Sequence, residues 1–214
     1  MKKIINILML IGISFTFNSC INFKSEYPEV EYYRLTQENS QFKRNLKIAS
    51  SMQIRNFSIN EEFDTEHLIA QNPDKSIQRY FYHRWSGDIS SMVTDYFVTK
   101  LNEYDYFAEG VFKSNSIRLP DYILEGQVME LIANNNPEKE GKNDVSISIR
   151  FSLLKRDYVS PDYKILFSKQ YQIDVPRKDN GAKSIVPAFS VGFAQISDKL
   201  MKDIIEPIGH MEGE

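Results

Sequence analysis

The side chains that could do chemistry are few in this sequence and widely spaced. The histidines and the only cysteine are not at metal-ligand spacing from one another: His67, His83, His210 and Cys20. Isolated histidines are most often surface or hydrogen-bonded residues, and we expect this of all three. The sequence also has no G-x-S-x-G, no nucleotide-binding glycine loop and no H-E-x-x-H motif. We therefore predict a protein that is not an enzyme and binds no metal or cofactor.

Residues suited to binding lie along one predicted strand, which is rich in aromatic and basic side chains. In strand geometry Tyr80, Tyr82 and Arg84 share one face, opposite Phe81 and His83. Tyr and Arg are enriched at protein interfaces, so this face would suit a partner if it were exposed. If it lay beneath a helix, its residues would belong to the core. The sequence leaves both interpretations open.

Trp85, the only tryptophan, directly follows this strand. One interpretation is a packing residue that closes a strand-to-helix corner. We favour it, because large aromatic side chains bury most of their surface. The other is an aromatic residue that faces a partner or a membrane. The candidate partner-contact residues are therefore Tyr80, Tyr82, Arg84 and Trp85.

Hydrophobic periodicity places these residues among strands and two amphipathic helices. The predicted strands are Val30–Leu35, Lys47–Ile59 with a bend near Asn56, His67–Ala70, Ile77–Arg84, Phe107–Phe112, Asp121–Ala133, Asp144–Arg156 and Tyr163–Val175. The predicted helices are Asp88–Tyr104, with Ser86 as N-cap, and Ser184–Glu206, which Pro207 ends. We predict an α+β fold, in which a mainly antiparallel sheet carries two long amphipathic helices packed on one face.

The strand over 144–156 has the clearest pattern, because apolar residues alternate with serine and arginine. One dry face and one wet face are typical of an antiparallel sheet. The predicted wet face comprises Ser146, Ser148, Arg150 and Ser152. Residues expected to be buried, in this strand and in the second helix, are Val145, Ile149, Phe151, Phe193, Ile196 and Leu200.

The N-terminus has the features of an export signal. Lys2 and Lys3 precede a mostly apolar run, Ile4–Phe17, which is shorter than a typical membrane-spanning helix. Cys20 follows where this run stops, and the arrangement resembles a bacterial lipobox. We therefore expect a signal peptide over 1–19, diacylglycerol and an N-acyl chain such as palmitate on Cys20, and a short tether over 20–29. An ordinary secretory leader with an incidental cysteine is the less favoured alternative.

Length and charge limit the function further. The 214 residues suit a single domain over 30–207, followed by a flexible tail over 208–214. The formal charge of −3 becomes −5 once the leader, with its two lysines, is removed. A mildly acidic chain with no basic stripe argues against nucleic-acid binding.

The order of these motifs resembles the ABC-type transport auxiliary lipoprotein family, whose members are partners of mammalian-cell-entry (MCE) lipid transport systems. The similar motifs are Tyr32-Tyr33-Arg34-Leu35, Tyr80-Phe81-Tyr82-His83-Arg84-Trp85, the helix from Met92 to Leu101 and Asp121-Tyr122-Ile123-Leu124-Glu125-Gly126. The resemblance implies a non-enzymatic protein, lipid-anchored on the periplasmic face of the outer membrane, that docks an MCE-domain protein in the transport of lipids or other hydrophobic compounds. It also allows a homo-oligomeric ring.

Ile21 stands where an inner-membrane lipoprotein often has Asp after its cysteine, and by that resemblance the expected location is the outer membrane. Two other functions fit a small lipoprotein domain. One is a periplasmic carrier that shields a lipid in an apolar cavity between helices and sheet. The other is a lipoprotein regulator of cell-wall synthesis.

Overall fold

The computed structural model of the chain describes residues 28–39, 42, 47–135, 143–160 and 162–212. The expected signal peptide, Cys20 and most of the tether lie outside these residues. The strands are β1 (Glu31–Tyr33), β2 (Met52–Ile54), β3 (Ser58–Ile59), β4 (His67–Gln71), β5 (Ile77–Trp85), β6 (Val111–Lys113), β7 (Tyr122–Asn134), β8 (Asp144–Arg156) and β9 (Tyr163–Pro176). The helices are α1 (Ile89–Glu103) and α2 (Ile185–Glu212), and a short 3-10 turn, Ala182–Ser184, precedes α2.

All nine strands form one mixed sheet around β7. On one side β7 begins an antiparallel meander with β8 and β9. On its other side it receives three short strands in succession, β2, β3 and β4, all parallel to it. β5 pairs antiparallel with β4, and β1 and β6 complete the two ends. The predicted α+β fold is confirmed, and its longest strand pairs are antiparallel.

Both helices pack on the same face of the sheet, as predicted. The rings of Phe97 in α1 and Phe193 in α2 lie 6.0 Å apart, and Phe97 lies 5.1 Å from the ring of Phe151 in β8. Phe57, in the bend between β2 and β3, joins this cluster at 5.5 Å from Phe151. The six residues predicted to be buried have no exposed surface. Aromatic side chains thus fill the helix–sheet interface.

Two glycines allow the backbone to approach these side chains closely. A Cβ atom on Gly192 of α2 would lie 2.5 Å from Cδ1 of Ile147 and 3.2 Å from Cγ2 of Val175. One on Gly126 of β7 would lie 2.6 Å from the ring of Phe57. Protein interiors are packed as densely as organic crystals, so neither position has room for a side chain unless a neighbour moves.

The wet face predicted for β8 is only partly wet. Ser146 and Ser148 are buried, contrary to the prediction. The hydroxyl of Ser146 donates to Oδ1 of Asp174 at 2.7 Å, and the hydroxyl of Ser148 accepts from Nε2 of Gln170 at 2.8 Å. Because their hydroxyls are hydrogen-bonded to β9, both serines are buried without an unsatisfied polar group.

The predicted helix ends were wrong at two positions. The N-cap of α1 is Asp88 and not Ser86, since Oδ1 of Asp88 accepts the backbone N–H of Ser91 at 2.7 Å. The second helix does not end at Pro207 but continues to Glu212. Ile208, assigned to a flexible tail, is fully buried. The helix therefore runs past Pro207, with Ile208 packed in the core, although a proline in a helix interior is costly.

Candidate partner-binding surface

Exposed large hydrophobic side chains of the described residues gather in two places. The strand surface, at the β1–β5 edge of the sheet, comprises Tyr32, Ile77, Phe81 and Tyr82. The loop end, where β7 and β9 begin, comprises Ile117, Leu119, Tyr158, Val159 and Ile165. One further residue, Val191, lies apart on α2. Exposed apolar groups gathered on neighbouring elements mark interaction sites more often than isolated ones do.

A bulge in β5 shapes the strand surface. His67 of β4 pairs with Arg84, whereas its neighbour Leu68 pairs with Tyr80, so three residues of β5 lie between two consecutive pairs. Because adjacent residues of β4 face opposite sides of the sheet, Tyr80 and Arg84 do so too. The prediction that Tyr80, Tyr82 and Arg84 share one face was therefore wrong.

Two of the four candidate contact residues face the interior. Trp85 is 6% exposed, and its ring centre lies 6.0 Å from that of Phe189 in α2. This is the packing role that we favoured. Tyr80 is half-buried against the core, and its hydroxyl donates to the backbone oxygen of Asn180 at 3.3 Å. Neither ring is fully available to a partner while the domain is folded.

The bulge itself carries the accessible aromatic rings. Phe81 is 64% exposed and Tyr82 is 45% exposed. Arg84 is fixed by two polar contacts, since its Nε donates to the backbone oxygen of Phe81 at 3.2 Å and its Nη1 lies 3.2 Å from Oε1 of Glu66. Tyr32 pairs with Arg84 in the sheet and is 65% exposed.

The alternation assumed for this strand placed Phe81 on the face opposite the candidate contact residues. Tyr32 was not among those candidates. The high aromatic content of the two segments was the only signal that could have pointed to either residue.

A polar cluster on the helix side of the same strands attaches β1 to β5. The hydroxyl of Tyr33 lies 2.6 Å from Oε2 of Glu31 and 2.9 Å from Nδ1 of His83. Nζ of Lys183 lies 2.7 Å from Oε1 of Glu31. Hydrogen bonds from Lys183 and Tyr33 lower the pKa of Glu31, and burial, together with Glu31, raises the pKa of Tyr33. The described residues contain no cluster of His, Cys, Asp or Glu that could hold a metal ion.

The other face of the sheet has an open cleft of about 320 Å³ between β4, β7 and β9. Its walls combine apolar and polar side chains: Phe63, Ile69, Ile77, Ile132, Ser148, Gln170 and Gln172. Glu130 and Glu62 add two carboxylates, so a fatty chain would meet charge here. Burial raises the pKa of Glu130, and the negative charges of Asp174 and Glu62 raise it further.

We expect Glu130→Gln to stabilise the domain at neutral pH. A carboxyl group whose pKa is higher in the folded chain stabilises the fold below its ordinary value of 4.5, and this stabilisation is lost as pH rises through the folded value. The amide mimics the protonated acid at every pH. Urea denaturation should therefore show a higher free energy of unfolding for the variant at pH 7 and little difference at pH 4. An equal effect at both values would mean that charge is not the cause.

Sequence comparison agrees with this architecture. Residues 33–201 match the family model described as ABC-type transport auxiliary lipoprotein component. The chain belongs to this family. No curated protein matches the sequence. No helix in the described ranges is long and apolar enough to span a bilayer.

Solved structures resemble the fold of this auxiliary lipoprotein at low sequence identity. A crystal structure of a Xanthomonas campestris protein has a TM-score of 0.71 at 14% identity, and the match covers 86% of this chain and 100% of that one. A second, of an uncharacterized protein, has a TM-score of 0.63 at 13% identity, with coverage of 82% and 99%. The PelC dodecamer of Paraburkholderia phytofirmans matches at a TM-score of only 0.39, with 11% identity and coverage of 81% and 93%. The first two matches establish the fold alone.

Proposed function

We propose that this auxiliary lipoprotein is anchored to the periplasmic face of the outer membrane through acylated Cys20 and docks an MCE-domain protein through its strand surface. The observation that supports this most directly is the β5 bulge, which holds Phe81 and Tyr82 in solvent near the β1 edge of the sheet. Bulges often redirect side chains at sheet edges, and aromatic residues supply much of the binding energy of protein interfaces.

The position of the strand surface relative to the expected anchor supports the same function. Ten residues separate Cys20 from Glu31, the first residue of β1. At about 3.3 Å per extended residue they reach roughly 35 Å at most. Tyr32 lies in β1 itself, so the strand surface begins where the tether ends. A partner that spans the periplasm would meet it within this reach of the lipid.

The packing between helices and sheet favours docking over the carrier alternative. A carrier needs an apolar cavity in which to shield its ligand. Here Phe57, Phe97, Phe151 and Phe193 occupy the space between the layers. The backbone of Gly192 approaches so closely that even a methyl group has no room. A ligand between the layers would have to displace these side chains.

Capture of partners from detergent-solubilised membranes tests the proposal. We expect the wild-type chain to recover an MCE-domain protein, identified by mass spectrometry. Replacing both exposed rings, Phe81→Ser with Tyr82→Ser, should reduce that recovery more than about tenfold, because truncated aromatic anchors typically cost 2 kcal/mol or more. Val191→Ser is the matched control, since it removes an exposed apolar side chain from α2.

The outcomes distinguish the alternatives. Unchanged recovery with the double variant would exclude the strand surface as the docking site. Recovery of bound lipid without a protein partner would favour the carrier, and recovery of a cell-wall synthase would favour the regulator. Cys20→Ala should lower recovery of the MCE-domain protein from membranes if the anchor contributes. The mass of the solubilised chain would reveal a ring oligomer.

A further inference from the structure

The loop end is built from two loops that lie side by side. Residues 114–121 join β6 to β7, and residues 157–162 join β8 to β9. The register that pairs Tyr122 with Lys155 brings them to the same end of the sheet. The backbone N–H of Arg156 donates to the backbone oxygen of Asp121 at 2.8 Å, and the hydroxyl of Tyr158 donates to the Asp121 carboxylate.

Large apolar side chains protrude from both loops. Ile117 is 100% exposed and Val159 is 98% exposed, and Leu119 and Tyr158 each expose about two-thirds of their surface. Such values mean that almost nothing in the domain touches the two aliphatic tips. Exposed single hydrophobic residues are common on protein surfaces, but four on two adjacent loops form a patch.

Asp121 fixes the geometry of the two loops. Its Oδ2 accepts the backbone N–H of Ser51 at 2.7 Å and the hydroxyl of Ser51 at 2.8 Å. Burial alone would raise the pKa of Asp121, but the hydrogen bonds from Tyr158 and Ser51 outweigh it and hold that pKa below its ordinary value. The carboxylate therefore stays charged and keeps the Tyr158 hydroxyl turned towards the domain, with most of the ring in solvent.

Positive charge surrounds the apolar tips. Residues 113–121 and 155–164 contain five basic and three acidic side chains, although the chain as a whole is negative. One of the five cations, Lys113, is paired with Asp95 of α1 at 2.7 Å, which leaves four basic side chains for the loop end. All three acids are engaged within the loops: Asp121 as above, Asp157 with the backbone N–H of Val159, and Asp162 with the hydroxyl of Ser160. Two guanidinium groups lie beside rings, Arg118 at 4.2 Å from the centre of Phe112 and Arg156 at 5.4 Å from that of Tyr158.

We propose that the loop end contacts the surface of a phospholipid bilayer with anionic headgroups. Apolar tips flanked by Lys and Arg match the two layers of such a surface, since acyl chains accept the tips and phosphates pair with the cations. A protein partner fits less well. Stable protein interfaces bury about 800 Å² on each side, whereas two protruding loops offer narrow tips. This proposal does not depend on the identity of the docked protein.

A fluorescent label on Val159 tests the contact directly. Val159→Cys would be labelled with nitrobenzoxadiazole in the full-length protein and reconstituted into phosphatidylethanolamine–phosphatidylglycerol vesicles. We expect emission about threefold stronger than in detergent-free buffer, and quenching by lipids that carry a nitroxide on the acyl chain. Asn180→Cys is the matched control, because it is also exposed but lies beyond the opposite end of β9. The unsubstituted chain measures any labelling at Cys20.

Equal, weak quenching at positions 159 and 180, in vesicles that both labelled proteins float with, would overturn the proposal. Flotation guards against a trivial loss of attachment, and a thermal melt of each variant guards against misfolding. Replacing phosphatidylglycerol by phosphatidylcholine should reduce quenching at position 159. Unchanged quenching in the neutral lipid would refute the role assigned to the basic residues.

Discussion

Replacing Phe151 by alanine is expected to lower the free energy of unfolding by about 3–5 kcal/mol. Its ring lies in β8 at the centre of the helix–sheet interface, with ring centres of Phe57, Phe97 and Tyr171 at 5.5, 5.1 and 5.7 Å. Truncation removes the transfer free energy of the ring and leaves a cavity that neighbours from three elements cannot jointly fill. A loss of this size reaches only the lower limit of the stability of an ordinary domain, about 5–15 kcal/mol, but it is a large share of that stability.

The matched control applies the same chemical change to an exposed ring. Phe81→Ala should change the free energy of unfolding by no more than about 0.5 kcal/mol, because 64% of that residue is already in solvent. Urea denaturation followed by circular dichroism measures both variants, and the denaturant slope shows whether unfolding stays two-state. Comparable losses at the two positions would contradict the distinction between a core ring in β8 and a surface ring in the β5 bulge.

Gly192→Ala is expected to destabilise the domain by about 1–3 kcal/mol, against the usual preference of helices for alanine. In an exposed helix this change stabilises by up to about 1 kcal/mol. Here the new methyl group would lie 2.5 Å from Cδ1 of Ile147, a branch held inside the core. The overpacking penalty should exceed the gain in helix propensity.

A compensating substitution makes the cause testable. Ile147→Val removes the Cδ1 methyl group that the new side chain at position 192 would strike, and on its own should cost about 0.5–1.5 kcal/mol. If the clash is the cause, the double variant should be at least as stable as Gly192→Ala alone, so that a double-mutant cycle gives a favourable coupling. Additive losses would mean that the backbone, and not this methyl group, sets the cost.

Where the sequence has a long alternating pattern, the predicted bounds of the strand agree with the structure to the residue. The observed bounds of β8, Asp144–Arg156, equal those predicted, because residues 144–153 alternate between polar and apolar side chains and every apolar one of them is buried. The bend expected near Asn56 was confirmed, since β2 and β3 are separate strands on either side of it. Short parallel strands were overestimated in length, because a two- or three-residue pairing leaves almost no periodic signal.

The β5 bulge could not be predicted from β5. Its residues show no clear two-residue period, and nothing in them marks the extra length between Tyr80 and Arg84. The bulge arises from the register with β4, in which consecutive residues pair with Tyr80 and Arg84. The candidate contact set was therefore only partly informative. It included Tyr82 and Arg84, but it also included the buried Trp85 and omitted Phe81, the most exposed ring of the bulge.

The parallel strands on one side of β7 have a consequence for the time at which the chain can fold. Met52 of β2 pairs with Tyr122 of β7, seventy residues later, whereas β7, β8 and β9 pair with near neighbours. Non-local pairing is slow because the entropy of closing a long loop is lost before any stabilising contact forms. During synthesis or export from the N-terminus, β2 emerges well before β7. Until the meander of β7, β8 and β9 has emerged, the early strands therefore have open edges where β7 will later pair. A chaperone would be needed most during this interval.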